Sequence, residues 1–150
     1  MATRRLIKTV SFPARSKPHM LRVSPEGKEV WVQTADTNTN VVLNADDLSV
    51  LATEPTGKYP VTNSWTPDRR YSIVTNGQDM FAQIFDARTF KEVKRLAIGP
   101  GGSNIGFSKD GKTAFIALTA ANAVAVIDVE KLALARLIQA GAAPQGLIVR

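Results

Sequence analysis

The sequence predicts an all-β fold: a β-propeller segment of four-stranded antiparallel blades, with an incomplete ring. Three observations carry that prediction. Chemically similar residues recur every 42 positions: Ser24, Thr66 and Ser108; Glu26, Asp68 and Asp110; Asn44, Asp86 and Asp128. Each period holds four short apolar stretches separated by turn residues, which is the pattern of a propeller blade and not of a helical repeat. The register needs no insertion or deletion, and it reaches Pro144-Gln145-Gly146-Leu147-Ile148-Val149, where a fourth copy begins.

The elements follow in order within each copy. The first strand, at 21–24 in the first copy, leads into Ser24-Pro25-Glu26-Gly27. Pro presets φ there, and Gly takes the positive φ of a bulged hairpin. The second strand is 29–34, built around Val30-Trp31-Val32 and matched by Ser72-Ile73-Val74 and Ala114-Phe115-Ile116. The third is 40–44, matched by 82–86 and 124–128. A turn headed by Asn44, Asp86 or Asp128 leads to the fourth, at 49–54, 91–96 and 133–138. Strands two and three are apolar on successive residues (Val41-Val42-Leu43, Val126-Ile127), as expected where both faces of a sheet are covered. The fourth strand carries Lys91, Glu92, Lys94 and Arg95 in the second copy, which fits an outer edge guarded by charge. One position departs from the pattern. Arg69 stands where the other copies have Gly27 and Gly111, so either a left-handed residue with a Cβ, at a cost of roughly 1–2 kcal/mol, or a turn of another type is expected there.

The repeat divides the chain into blades at 15–56, 57–98 and 99–140. Residues 4–12 take the register of the outer strand of a preceding blade, and 141–150 that of the inner strand of a following one. Three blades are too few to close a ring, so a segment of a longer protein, or assembly with a second copy through unpaired blade edges, is expected.

Composition adds limits. The chain has 150 residues, 44% hydrophobic and 21% charged, which is ordinary globular composition. No apolar run approaches the roughly 20 residues of a membrane span. Cysteine is absent, which removes disulfides, thiolate metal sites and cysteine nucleophiles. Thr3-Arg4-Arg5-Leu6-Ile7-Lys8 is not a twin-arginine signal, because Thr9, Ser11, Pro13, Arg15 and Lys17 interrupt the apolar stretch such a signal needs. The net charge of +6 is dispersed and broken by carboxylates, without a phosphate-binding stripe. A nucleic-acid surface from Arg4, Arg5, Lys8, Lys58, Arg69 and Arg70 would require affinity that falls steeply with salt.

With these residues in view, the chain resembles the YVTN β-propeller repeat family. Lys17-x-x-x-Leu21-x-x-Ser24-Pro25-x-Gly27-Lys28 followed by Val30-Trp31-Val32 resembles the repeat opening. Ile73-Val74-Thr75-Asn76 is close to the signature itself, and Ala123-Val124-Ala125-Val126-Ile127-Asp128 resembles the third-strand ending. The resemblance covers about residues 5–150. It implies a closed ring in the parent protein, commonly of seven blades, and a periplasmic or extracellular location. It also implies architectural similarity to WD40-like propellers and to those of some haem and quinone enzymes.

Candidate chemistry is sparse. His19, the single histidine, follows Pro18 at the start of an inner strand. A lone His without Cys does not make a usual zinc site, and the resemblance, whose repeats often carry Pro-His at this point, implies a structural hydrogen bond as its role. Arg22 is a charge on a strand otherwise lined by neutral groups. Asn63 places an amide where Leu21 and Ile105 are apolar, and Asn104 alternates with Ile105. These four, His19, Arg22, Asn63 and Asn104, are the ligand-binding candidates. The repeated acids read as acceptors for turn N–H groups and not as a hydrolytic pair. Gly99-Pro100-Gly101-Gly102 connects blades and is no phosphate cradle, since no helix follows. The loops at 34–40 and 76–81 are candidate partner surfaces, with Phe81 read as core. No catalytic set, metal or cofactor is expected within the segment. The expected function is a non-catalytic binding or scaffold module for a protein, glycan or small ligand. The alternative is part of a haem, quinone or hydrolytic propeller enzyme whose catalytic residues lie elsewhere.

Overall fold

A computed structural model describes residues 5–149. Twelve strands form three antiparallel sheets, each in sequential order. The first blade comprises β1 (Pro18–Val23), β2 (Glu29–Thr34), β3 (Thr39–Asn44) and β4 (Val50–Pro55). The second comprises β5 (Pro60–Trp65), β6 (Tyr71–Asn76), β7 (Phe81–Asp86) and β8 (Glu92–Ala97). The third comprises β9 (Gly102–Phe107), β10 (Thr113–Leu118), β11 (Ala123–Asp128) and β12 (Ala133–Gln139). No helix occurs among the described residues, and the three blades leave the ring open.

The turns explain the period. Between the first two strands of each blade a hydroxyl caps the hairpin: Ser24 Oγ accepts from Glu29 N at 3.1 Å, Thr66 Oγ1 from Tyr71 N at 3.1 Å and Ser108 Oγ from Thr113 N at 3.0 Å. The residue three positions on is left-handed in all of them, with φ of +74° at Gly27, +62° at Arg69 and +72° at Gly111. Before the fourth strand, Leu48, Phe90 and Leu132 are also left-handed, with φ of +61°, +64° and +48°. That conformation strains a branched or aromatic residue. It is offset by packing: Phe90 lies edge-on to Trp31 at 5.9 Å, and Leu132 joins the core between the second and third blades.

Alternation along the middle strands gives every blade two apolar faces. Trp31 and Val42 meet Val74 and Phe85 between the first and second blades. Ile73 and Ile84 meet Ile116, Ala125 and Ile127 between the second and third. Val32, Val41 and Leu43 form the remaining face of the first blade, covered in part by Val10 and Phe12.

The terminal segments differ from expectation. Residues 5–12 and 141–149 form no ladder, because the described residues offer them no neighbouring strand. They still occupy blade faces. Phe12, one period before Glu54 and two before Leu96, packs on the first blade, and Leu147 Cδ1 lies 2.5 Å from where a Cβ on Gly106 would fall. Arg4 and Arg150, also assigned to those segments, lie outside the described residues.

The Arg69 position yields a stability prediction. Its left-handed backbone costs roughly 1 kcal/mol relative to glycine. Its guanidinium pairs with Glu26 at 3.0 Å, but both side chains are largely exposed, and such pairs contribute little. Arg69→Gly is therefore expected to leave thermal stability unchanged or raise it, as read by a melting curve. A clear fall would contradict the turn assignment.

Candidate functional site

The inner strands β1, β5 and β9 bring the candidate residues toward the ring axis. There, one backbone carbonyl per blade is caught by a side chain of the preceding blade. His19 Nδ1 lies 3.1 Å from Val61 O, Thr75 Oγ1 donates to Ser103 O at 2.8 Å, and Asn104 Nδ2 donates to Gln145 O at 3.0 Å. Val61, Ser103 and Gln145 are one register position in successive copies. Three different donors thus serve the same acceptor. Arg22 also reaches across the first blade boundary, donating from Nε to Thr62 Oγ1 at 3.3 Å.

Asn63 is fully buried. Its Oδ1 accepts from Gln33 Nε2 at 3.2 Å and its Nδ2 donates to Ser72 Oγ at 3.0 Å. Gln33 Nε2 also donates to Asn40 Oδ1 at 2.9 Å. The amide that breaks the apolar alternation is therefore a link between the first and second blades. A companion network surrounds Gln83, whose Oε1 accepts from Gly57 N at 2.7 Å and from Asn76 Nδ2 at 3.2 Å, while its Nε2 donates to Glu92 at 2.7 Å. The reading of single strands missed Gln33 and Gln83. The signal was there: each is an amide inside a run of buried residues, and buried amides require partners.

Of the four candidates, His19 and Asn104 hold carbonyls of the next blade or the next copy, Arg22 holds a hydroxyl, and Asn63 holds two side chains. The structure brings His19 and Arg22 onto β1 and leaves Asn63 in the interior. Phe81, read as core, is half-buried with the Arg95 guanidinium 5.0 Å over its ring. The loop at 34–40 is closed on itself by hydroxyls, with Thr37 Oγ1 donating to Thr34 Oγ1 at 2.9 Å, and Asn38 Oδ1 accepts from Tyr59 N at 3.0 Å.

The recurrent acids act on their own turns. Asp68 Oδ1 accepts from Thr66 Oγ1 at 2.6 Å and Arg70 N at 3.1 Å; Asp110 Oδ1 accepts from Ser108 Oγ at 2.6 Å and Lys112 N at 3.1 Å. Glu26 departs from this pattern and pairs with Arg69 instead. Asp86 Oδ1 accepts from Thr89 N at 2.7 Å and Arg88 N at 3.0 Å, as Asn44 Oδ1 accepts from Asp46 N at 2.8 Å. These bonds favour the ionised carboxyl. The Thr89 N–H holds Asp86 below its ordinary range, the Ser108 hydroxyl does so for Asp110, and the Lys131 N–H for Asp128. Partial burial pushes Asp68 the other way, but its bonds from Thr66 and Arg70 outweigh that. Among the described residues no group of three or more His, Cys, Asp or Glu is placed to hold a metal ion.

Beside the His19 bond, a cleft of about 380 Å³ opens at the start of the inner strands, lined by residues that include His19, Tyr59, Gln78, Ser103, Thr119 and Gln145. Tyr59 stands edge-on to His19 at 5.3 Å, with Lys17 Nζ 5.0 Å over its ring.

Solved structures share the fold of these blades. The chain is similar to hydrazine synthase from Kuenenia stuttgartiensis, with a TM-score of 0.81 over 94% of this chain and 23% identity. It is a propeller segment. The likeness extends to dihydro-heme d1 dehydrogenase NirN in complex with DHE, with a TM-score of 0.70, 15% identity and 79% of this chain covered. It extends also to the RRP9 WD40 repeats, with a TM-score of 0.76, 10% identity and 85% covered. The chain spans 41%, 27% and 40% of those three structures, respectively. At these identities the likeness concerns the fold. No family profile and no curated protein matches the sequence.

Two predictions follow from this geometry. Asn63→Ala strips Gln33 and Ser72 of a buried partner and is expected to cost about 1–3 kcal/mol in denaturant unfolding; an unchanged midpoint would contradict the network. For Asp86 the sign runs toward acid instability. Its folded pKa is lowered, so its contribution is present above the ordinary aspartate range and is lost as pH falls through the folded pKa. Asp86→Asn keeps the acceptor, as Asn44 does, and removes the titration. Its expected signature is a slightly lower melting temperature at neutral pH with a shallower loss on acidification.

Proposed function

We infer that the chain is a non-catalytic binding or scaffold module of a YVTN-type propeller. The observation that carries this reading is the set of side chains that cross from blade to blade. His19, Thr75 and Asn104 each hold the equivalent carbonyl of the next blade or copy, and Asn63 joins two blades from inside. The polar groups most suited to chemistry serve to fix blades against one another. A rigid ring of this kind presents loops and an axial rim to a protein, a glycan or a small molecule. The family resemblance supports a periplasmic or extracellular setting.

A second reading has a specific support. Hydrazine synthase and NirN are named as enzymes, and each is much longer than this chain. On that reading the segment belongs to an oxidoreductase whose reacting groups lie in other parts of the parent protein.

His19→Ala and Asn104→Ala in the parent protein separate a structural role from a catalytic one. The scaffold reading predicts a lowered melting temperature for both, and no oxidoreductase or esterase turnover that depends on either side chain. Turnover abolished by His19→Ala at an unchanged melting temperature would overturn it.

A further inference from the structure

The axial cleft has a chemistry that the inter-blade bonds do not use. His19, Ser103 and Gln145 occupy one position in the repeat, so the ring symmetry itself brings their side chains to one rim. Ser103 and Gln145 offer only their backbone carbonyls to the preceding blade. Gln78 uses its backbone N–H toward Lys58 O at 3.2 Å, apart from its carboxamide. His19 Nδ1 faces a carbonyl, which only accepts, so Nδ1 carries the proton and Nε2 of the neutral ring is an acceptor. Thr119 Oγ1 donates to Gly101 O at 3.0 Å and keeps its lone pairs.

The cleft thus gathers acceptors (His19 Nε2, Thr119 Oγ1), groups that both donate and accept (the Ser103 hydroxyl and the Gln78 and Gln145 carboxamides), and one aromatic ring. Its lining holds no Asp, Glu, Lys or Arg. Lys17, which lies over Tyr59, has Asp36 at 3.8 Å. An anion would find no free cation in the lining, and an apolar ligand would strip water from the amides without replacing it. A molecule bearing many hydroxyls satisfies both donors and acceptors, and its C–H faces suit an aromatic wall. The cleft volume of about 380 Å³ lies within the range of small-molecule sites.

We propose that this axial cleft binds a neutral polyhydroxylated molecule of the sugar class. The proposal deepens the binding-module reading and rests on it. The test is titration of the full chain with D-glucose, and separately with D-gluconate, followed by backbone amide NMR. Glucose is expected to shift the amides of Tyr59, Gly77 and Gly102, with gluconate binding more weakly. Gln78→Ala and Gln145→Ala remove carboxamides that make no inter-blade bond among the described residues. Each is expected to weaken glucose binding roughly tenfold, about one charge-free hydrogen bond, at an unchanged melting temperature. Tighter binding of gluconate, glucose shifts that persist unaltered in both variants, or no shifts with either compound would each overturn the proposal. The scaffold reading is judged by melting and turnover of His19→Ala and Asn104→Ala, so its failure is distinguishable from failure here.

Discussion

A four-stranded sheet whose middle strands are apolar on both faces has to be covered twice, and every other feature of this chain depends on that. A sheet with one wet face would alternate apolar and polar residues along each strand. Here Val32 and Val41 point one way while Trp31 and Val42 point the other, and all four are buried. The repeat meets the demand by stacking, since the forward face of one blade is covered by the rear face of the next. The same demand accounts for the terminal segments, which lie on the two outermost faces without forming ladders.

The two complete interfaces solve one packing problem with different chemistry. Between the second and third blades the contact is aliphatic, with Ile73, Ile84, Ile98, Ile116 and Ile127 at its centre. Between the first and second, Trp31 meets Trp65 and Phe85 edge-on at 5.6 and 6.2 Å beside Val42 and Val74, and a set of buried polar side chains adjoins them. Gln33, Asn40, Asn63 and Gln83 are buried there, and the Glu54 carboxylate, with 11% side-chain exposure, is paired with Lys91 at 2.7 Å. Aliphatic contacts tolerate small slides, whereas paired amides fix one register because any slip leaves them unbonded. Three buried amide atoms, Gln33 Oε1, Asn40 Nδ2 and Asn76 Oδ1, lack a partner among the described residues. The paired amides therefore give this interface a specificity of register that the aliphatic one lacks.

The fold was legible because its causes are local and repeated. Turn chemistry at Ser24, Thr66 and Ser108 and at Asn44, Asp86 and Asp128 marks the hairpins, and strand composition marks radial position. Arg69 was readable as left-handed because two glycines share its register. The left-handed Leu48, Phe90 and Leu132 were not, since no glycine or asparagine signals them; Phe90 and Leu132 are held there by packing across blades. The candidate site was legible only in part. Sequence singled out His19, Arg22, Asn63 and Asn104 as polar oddities on inner strands. The partners of His19, Arg22 and Asn104, however, are about one period away, Gln33 reaches Asn63 from the preceding blade, and all of these contacts depend on how blades stack. Thr75 was hidden for the same reason: within its own strand nothing distinguishes a bond to the next blade from an exposed polar group, whereas Gln33 stood out as an amide in an apolar run but its partner in the next blade did not.

Buried polar side chains couple one blade to the next, and a double-mutant cycle on Gln33 of β2 and Asn63 of β5 measures that coupling. These residues sit in different blades and meet at 3.2 Å inside the protein. Unfolding free energies of Gln33→Ala, Asn63→Ala and the double variant give the pairwise coupling, because contacts that each residue makes independently of the other cancel in the cycle. A coupling of about 1 kcal/mol or more in the favourable direction is expected. Strict additivity of the two substitutions would contradict it.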